Sequence, residues 1–451
     1  MKISSALSLI IAIGISLPVT SQSQKGSGPM RFSLEEAKNF AITNSPVLLN
    51  SARDVEIAKK MIWENAATGL PQANLTSSYN YSPKLAGLTQ IFTGGDSTGG
   101  GSNPFGFTIN PNDLKTSFIM DVQVSQLIFS GQYIVGLHAS KVYENLSRLA
   151  NSKSKISLVE SITDVYFGIL VLHETKKVMD STLAVVDKTH HETEQMYKNG
   201  FAQSTDVDQL RIQSLNILSS LSGIKRQIEF TERLLKFQMG LPIDQPIVLT
   251  DDIDRLTGIL QLEAAAIDSF NIEDNIDYRM ASTQEKLMKL NLQVRMAEFL
   301  PTLAGFYNRH EDFDKNFFND QSPNMLGLSL RFPLWTSGQR LSQVGQARLE
   351  YMKAQTNKEQ FSESLLIQYE TALSAFLSAR DVYAMQKENR DLSLRVYMRS
   401  IAKFREGLGS SLDMNQAQSQ YFSAEGNYYN ALMTLVSTKA TLTSLLAKYD
   451  E

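Results

Sequence analysis

Two segments of this sequence recur at one fixed offset, and no other feature constrains the fold as much. Ser130-Gly131-Gln132 returns as Ser337-Gly338-Gln339, 207 positions later. Gly200-Phe201-Ala202-Gln203-Ser204-Thr205-Asp206-Val207-Asp208-Gln209 returns as Gly407-Leu408-Gly409-Ser410-Ser411-Leu412-Asp413-Met414-Asn415-Gln416, again 207 positions on. Tyr197 and Phe404, Lys198 and Arg405, and Gln213 and Gln420 keep the same offset. Loops accept insertions and continuous helices do not, so a duplicated unit with an unchanged offset predicts helix between the two motifs.

Composition agrees with that reading. From Gln132 to Tyr197 there is no proline, and the only glycines are Gly136 and Gly168. From Gln339 to Phe404 there is again no proline, and Gly345 is the single glycine. Helices of that length span roughly 100 Å, far beyond the ordinary helix of about 11 or 12 residues. Gly200 and Gly407 suit C-terminal caps. Ser204 and Ser411 are candidate N-caps of return helices, with Asp206 and Asp413 in the first turns. The return helices are expected to reach about Met239 and Lys448. Each copy is then a long antiparallel hairpin with a tight tip, burying its apolar seam as a coiled coil. The seam is irregular and rich in Ala, Ser and Gln, and no strict heptad is assigned.

A shorter helix should precede each hairpin. The first is expected from about Leu34 to Gly69, with Ser33 as N-cap and Glu36 completing a capping box. The second is expected from about Glu273 to Phe299. Pro71 and Pro301 end them. After these helices the pattern changes to a period of two. Phe118, Met120, Val122 and Val124 alternate with Asp121, Gln123 and Ser125. Leu326, Leu328, Leu330, Phe332 and Leu334 alternate with Gly327, Ser329 and Arg331. Partner strands are expected over 73–81 and from about Thr302 to Arg309. Such alternation fits a half-buried strand and equally a barrel strand with lipid outside and water inside. Two matched hairpins of this kind, each flanked by very long helices, favour the barrel. Asp121, Gln123, Ser125, Ser329 and Arg331 then face the lumen, and Phe118, Val122, Leu328 and Leu330 face lipid. Four strands cannot close a pore alone, since open edges in lipid leave unpaired backbone groups. The barrel must therefore be shared between chains.

The N-terminal stretch reads as an export signal. Lys2 precedes an apolar run from Ala6 to Leu17, which Pro18 breaks. Residues 1–23 have the layout of a secretory leader, and no transmembrane helix is expected after it. The absence of cysteine in the sequence excludes disulfides, thiolate metal sites, a cysteine nucleophile and an acylated N-terminal cysteine. His138, His173, His190, His191 and His310 show no metal-ligand spacing. No cofactor, metal or catalytic residue is assigned. The formal net charge of −4 lacks any basic block, which removes support for nucleic-acid binding. The run Thr93-Gly94-Gly95-Asp96-Ser97-Thr98-Gly99-Gly100-Gly101-Ser102 lacks the GK[ST] ending of a phosphate loop and reads as an external loop.

Leu34-Glu35-Glu36-Ala37 with Asn44-Ser45-Pro46, the Leu70-Pro71 and Leu300-Pro301 helix ends, both Ser-Gly-Gln turns, both glycine-to-aspartate tips and Gly240-Leu241-Pro242-Ile243-Asp244 together resemble the TolC-like outer membrane efflux family. The resemblance runs in order through nearly the whole chain after residue 23. It implies a mainly α chain with a membrane β-barrel: long antiparallel helical hairpins forming a periplasmic tunnel, and four β-strands per chain in a shared barrel of a homotrimer. It divides the chain into a leader (1–23), a first repeat (24–240), an equatorial segment (241–270) and a second repeat (271–451). It implies an outer-membrane location in a Gram-negative bacterium, a periplasmic adaptor as partner, and an inner-membrane RND or ABC transporter that supplies the energy. The function implied is a passive exit duct for efflux or type I secretion, not an enzyme.

The resemblance also assigns sites. The tips carrying Gly200, Phe201, Ser204, Asp206, Gly407, Leu408 and Ser411 match the segments that meet the adaptor. Leu412 and Asp413 match the gate, where a ring of carboxylates narrows the periplasmic mouth. Gln416 stands where the family has a second aspartate, and that departure weakens the carboxylate ring. An extended coiled-coil surface adhesin or scaffold would explain the helices, but not the alternating strands or the duplication.

Overall fold

The computed structural model describes residues 28–81, 116–253, 255–256, 270–313 and 322–446. The expected leader, the glycine-rich run of 93–102 and most of the later part of the equatorial segment lie outside the described residues.

The chain begins with a short strand β1 (Met30–Phe32) and two helices, α1 (Leu34–Asn44) and α2 (Pro46–Ala67). The expected capping box is present. Glu36 N–H donates to Ser33 Oγ at 3.3 Å and Ser33 N–H to Glu36 Oε2 at 2.8 Å. The single helix expected over Leu34–Gly69 is broken at Ser45. That residue is extended (φ −61°, ψ 127°), the conformation into which a following proline pushes its neighbour. Pro46 then opens α2 at its first position, where a missing N–H costs nothing.

Strands β2 (Gln72–Tyr81) and β3 (Thr116–Ser130) form the first hairpin, and β5 (Thr302–Asp312) and β6 (Asn324–Arg331) the second. They join into one antiparallel sheet in the order β2-β3-β5-β6, with β3 against β5. Strand β3 extends beyond the expected Phe118–Ser125 at both ends. Strand β6 stops at Arg331 rather than reaching Leu334, because Pro333 has no N–H for the ladder. A bulge sits between Leu127 and Phe129. Gly327 lies opposite Phe306, whose ring covers it: a Cβ at Gly327 would come within 2.7 Å of the ring.

Helix α3 (Gly131–Lys198) follows β3 without a loop, capped by Ser130 Oγ, which accepts from Tyr133 N–H at 3.3 Å. It turns into α4 (Ser204–Met239). After β4 (Ile247–Leu249) and a 3₁₀ turn (Ile272–Asp274), α5 (Ile276–Ala297) leads to the second sheet hairpin. Helices α6 (Gln339–Arg405) and α7 (Ser411–Leu446) complete the chain. The long helices have 68 and 67 residues and the return helices 36 each. The expected start of α5 at Glu273 moves to Ile276, since Asn275 Oδ1 caps it by accepting from Asp277 and Tyr278 N–H. The two Ser-Gly-Gln turns differ in structure. Gly131 opens α3 against Leu300, where a Cβ would lie 2.6 Å from Cδ1, while Gly338 is open to space at φ +82°.

Two cores hold the hairpins. The larger joins Phe32, Ala37, Ile162, Tyr166, Phe376 and Leu432 around the middle of the helices. Here β1 pairs in parallel with β4. Tyr166 Oη lies 3.0 Å from both Phe32 O and Asp251 Oδ2, and Leu34 N–H donates to the same carboxylate oxygen at 2.7 Å. Burial, with the Asp251 carboxylate beside it, raises the Tyr166 hydroxyl far above its usual pKa. The smaller core, with Leu210, Ile217, Tyr397, Ile401, Met414 and Tyr421, lies toward the tips. Helix α3 contains one 18-residue window apolar enough by length and composition to cross a membrane. Ile162, Tyr166, Phe167 and Ile169 of α3 are fully buried, so much of its apolar surface serves the larger core.

Candidate functional site

The two tips are built alike. Gly200 (φ +80°) and Gly407 (φ +70°) take the left-handed conformation that favours glycine. Phe201 N–H donates to Met196 O at 2.8 Å and Gly200 N–H to Tyr197 O at 2.9 Å. Leu408 N–H donates to Lys403 O at 2.8 Å and Gly407 N–H to Phe404 O at 3.0 Å. Each is a Schellman motif that satisfies carbonyls left over at the helix end. The N-caps fall one residue before those expected. Ser204 and Ser411 are the first helical residues, and Gln203 and Ser410 precede them as caps. Asp413 N–H donates to Ser410 Oγ at 3.1 Å, while the Asp413 carboxylate accepts from Ser410 Oγ at 2.8 Å and Ser410 N–H at 3.3 Å.

The tip residues divide by exposure. Phe201, Leu408 and Leu412 are 80%, 76% and 66% exposed, large apolar side chains held in solvent by the tight turns. Ser411 is buried and donates into the first hairpin, toward Asp206 and toward Gln209 Oε1 at 2.9 Å. It is therefore an internal tie and not part of the outer tip surface in this chain. Asn415 Nδ2 donates to Gln209 at 3.2 Å, and Gln213 pairs with Gln418. These contacts zip α4 to α7 from the tip upward. On the other side, Arg405 Nε lies 3.2 Å from Glu192 and its Nη2 donates to Thr189 at 3.3 Å. A cavity of about 650 Å³ opens between the tips, lined by Glu192, Met196, Phe201, Phe404 and Arg405 among others. Pairwise motif matching missed these ties, because it compares the copies and does not show them touching. Gln416 is exposed beside Asp413.

The sheet sorts its residues by register. Directly paired residues share a face, and Asp121 pairs with Thr76 and His310, Gln123 with Asn74 and Asn308, and Ser125 with Gln72 and Phe306. Ser329 and Arg331 pair with Ala304 and Thr302 on that same face. All five residues expected in the lumen thus lie on one polar face. His310 is an addition: its Nδ1 lies 2.7 Å from Asp121 Oδ1. The opposite face carries Leu75, Phe118, Val122, Leu328 and Leu330, with Leu326, Leu328 and Leu330 exposed by 83%, 71% and 68%. Aromatic residues stand at both ends of this aliphatic band. Tyr79, Tyr81 and Phe118 are at one end and Phe129 at the other, with exposed Phe332 and Trp335 just past β6. Arg309 and Glu311 also lie on the apolar face, as an ion pair at 2.6 Å near the start of β6.

Residues 272–448 match the sequence model of a family described as outer membrane efflux protein. The chain is 22% identical to outer membrane protein TolC of Vibrio cholerae over 410 residues, covering 88% of this chain and 86% of that protein. Against outer membrane protein TolC of Salmonella enteritidis it is 20% identical over 440 residues, covering 93% and 84%. Among solved structures, the outer membrane protein VceC from Vibrio cholerae superposes with a TM-score of 0.69 at 16% identity, covering 92% of this chain and 96% of that one. The CmeC outer membrane channel of Campylobacter jejuni gives a TM-score of 0.70 at 15% identity, covering 92% and 85%. The fold is therefore that of these outer membrane channels.

Proposed function

We propose that this chain is an outer membrane efflux protein, one protomer of a trimeric exit duct. The observation that carries this reading is the four-stranded sheet. It has one polar face, one exposed aliphatic face between aromatic ends, and outer strands β2 and β6 each paired on one side only among the described residues. Such a sheet cannot stand in water without covering its leucines, nor in lipid without pairing its edges. Joining β6 of one copy to β2 of the next solves both problems. Three copies give a closed barrel with a polar interior, and an aliphatic band flanked by aromatic girdles is the outer surface of such a barrel.

The two hairpins of each copy then form the periplasmic tunnel below the barrel. The tips bearing Phe201 and Leu408 are the docking surface for a periplasmic adaptor. Leu412 and Asp413 line the mouth, where three copies would place a leucine ring beside a carboxylate ring. The chain itself is passive, and an inner-membrane RND or ABC transporter drives export. The likeness to proteins named as outer membrane channels supports this reading, and no observation favours a surface adhesin. Cross-linking and mass measurement of the protein extracted in mild detergent test the assembly: a trimer is expected, and a stable monomer with a complete barrel would overturn it.

A further inference from the structure

The second hairpin contains a seam that composition hides. On α6, Tyr369, Phe376, Tyr383, Arg390, Tyr397 and Phe404 stand seven residues apart, the repeat that keeps one stripe of a helix against its partner. Five of the six are aromatic, and Phe376, Tyr383 and Tyr397 are nearly fully buried. Helix α7 answers with Tyr421 and Tyr428: the Tyr397 and Tyr421 rings stack at 5.7 Å, and the Tyr383 and Tyr428 rings lie 5.6 Å apart. Between these two aromatic layers the one non-aromatic position is Arg390, and its guanidinium lies 4.2 Å over the Tyr428 ring. Glu425 of α7 lies in the same layer, one helical turn from both Tyr421 and Tyr428.

Glu425 is 5% exposed, and its Oε2 is buried without a hydrogen-bond partner. It sits between the two cores: Tyr428 and Tyr383 belong to the larger, Tyr421 and Tyr397 to the smaller. The burial arises within one chain, so assembly with further copies cannot expose it. A polar group in an apolar seam costs stability, and one that can change charge makes that cost adjustable.

We propose that Arg390 and Glu425 form a proton-operated layer in the second hairpin: protonated Glu425 locks α6 to α7, and ionised Glu425 loosens the seam between this layer and the tip. The charged and titratable groups around Glu425 are Arg390 and Asp391 from α6 and Tyr421, Tyr428 and Tyr429 from α7, with Glu174 of α3 acting on Tyr429. Arg390 is also held by Asp391, 2.7 Å away, so its charge is shared between two carboxylates. Burial pushes the Glu425 carboxyl above its ordinary value, although Arg390 and the Tyr421 and Tyr429 hydroxyls favour the ionised form. The folded chain thus keeps this proton to higher pH than the unfolded chain does. The seam is firmest below the ordinary carboxylate value of 4.5 and weakens as pH rises through the raised folded value. The loosened part is the end of the hairpin carrying Leu412 and Asp413, roughly 20 Å along α7 from Glu425.

The test is backbone hydrogen exchange on the intact protein in detergent, read for the peptides between Arg390 and Glu425 and corrected for the intrinsic pH dependence of exchange. It needs no assumption about transport or assembly. Protection in the unaltered chain should be highest below the ordinary carboxylate value and fall several-fold as the pH rises through the raised folded value. Glu425→Gln, which keeps the shape and cannot ionise, should hold the acid level of protection throughout. Arg390→Met removes the neighbouring positive charge and should move the midpoint of the transition to higher pH. Protection independent of pH in the unaltered chain, the same pH dependence in Glu425→Gln, or an unmoved midpoint in Arg390→Met would each overturn the proposal.

Discussion

At the residue scale, glycines with the same backbone conformation differ in what they hold. Gly240 and Gly338 have φ of +77° and +82°. A Cβ at Gly240 would lie 2.4 Å from Asn44 O, whereas one at Gly338 would meet nothing. Gly338→Ala should cost only the left-handed backbone, about 1–2 kcal/mol. Gly240→Ala adds a collision with backbone that cannot swing aside and should exceed about 3 kcal/mol. Denaturant unfolding of both variants checks the order, and equal losses would show that the α1–α2 break can move away. The Gly240-Leu241-Pro242 exit was legible in the sequence as a helix end. Its contact with Asn44 was not, because Ser45 read as part of a continuous helix and the break there brings the two segments together.

At the element scale, the offset of 207 positions located both hairpins, since insertions are costly inside a helix and cheap in a loop. The second cap lies one residue earlier than expected because Ser410 and Ser411 are adjacent and either hydroxyl could cap; in the first copy Gln203 takes the place expected for Ser204. Only the backbone decides, and it sends Ser411 inward. The seven-residue aromatic seam of α6 is not legible in the sequence as one core stripe, because Arg390 interrupts it. Strand faces were legible from alternation alone, and the register puts the polar and the apolar set on opposite faces of the sheet. Two predictions belong here. Leu328→Arg should destabilise the membrane-inserted protein by about 2–4 kcal/mol, while Ser329→Arg, one residue on, should leave stability nearly unchanged and alter ion selectivity. Single cysteines at these positions in the cysteine-free chain can be probed with a water-soluble thiol reagent through the open pore; equal labelling would remove the lipid-and-lumen assignment. At the tips, Phe201→Asp or Leu408→Asp should abolish export while the trimer and its barrel remain, as read by export assays beside native gels. Full export by both variants would place adaptor docking elsewhere.

At the scale of the whole molecule, the working unit of the proposed duct is larger than the chain, and one chain's sequence says little about it. Four strands state that closure needs partners, but not how many. The same limit applies to the gate. Within one chain, Asp413 is fully accounted for as a helix-start residue tied to Ser410, a role Asp206 fills in the first copy. Beside it, Leu412 is 66% exposed with no local reason to be apolar. The first copy has Thr205 at that position, so the apolar residue is confined to the hairpin whose tip would converge on the axis. Three-fold symmetry would gather three Leu412 side chains into a constriction and three Asp413 carboxylates into a ring that attracts cations and repels anions. Gln416 in place of a second carboxylate leaves that ring with a single layer of charge. Single-channel recording in planar bilayers separates the two contributions. Leu412→Ser should raise the conductance of the idle channel, because a smaller, polar ring neither blocks nor dewets the mouth. Asp413→Ala should weaken cation selectivity, with a smaller effect on conductance. Its cost to the α7 start should be about 0.5–2 kcal/mol, too little to unfold a helix packed along its length. Traces unchanged in both variants would mean that the channel closes higher in the tunnel.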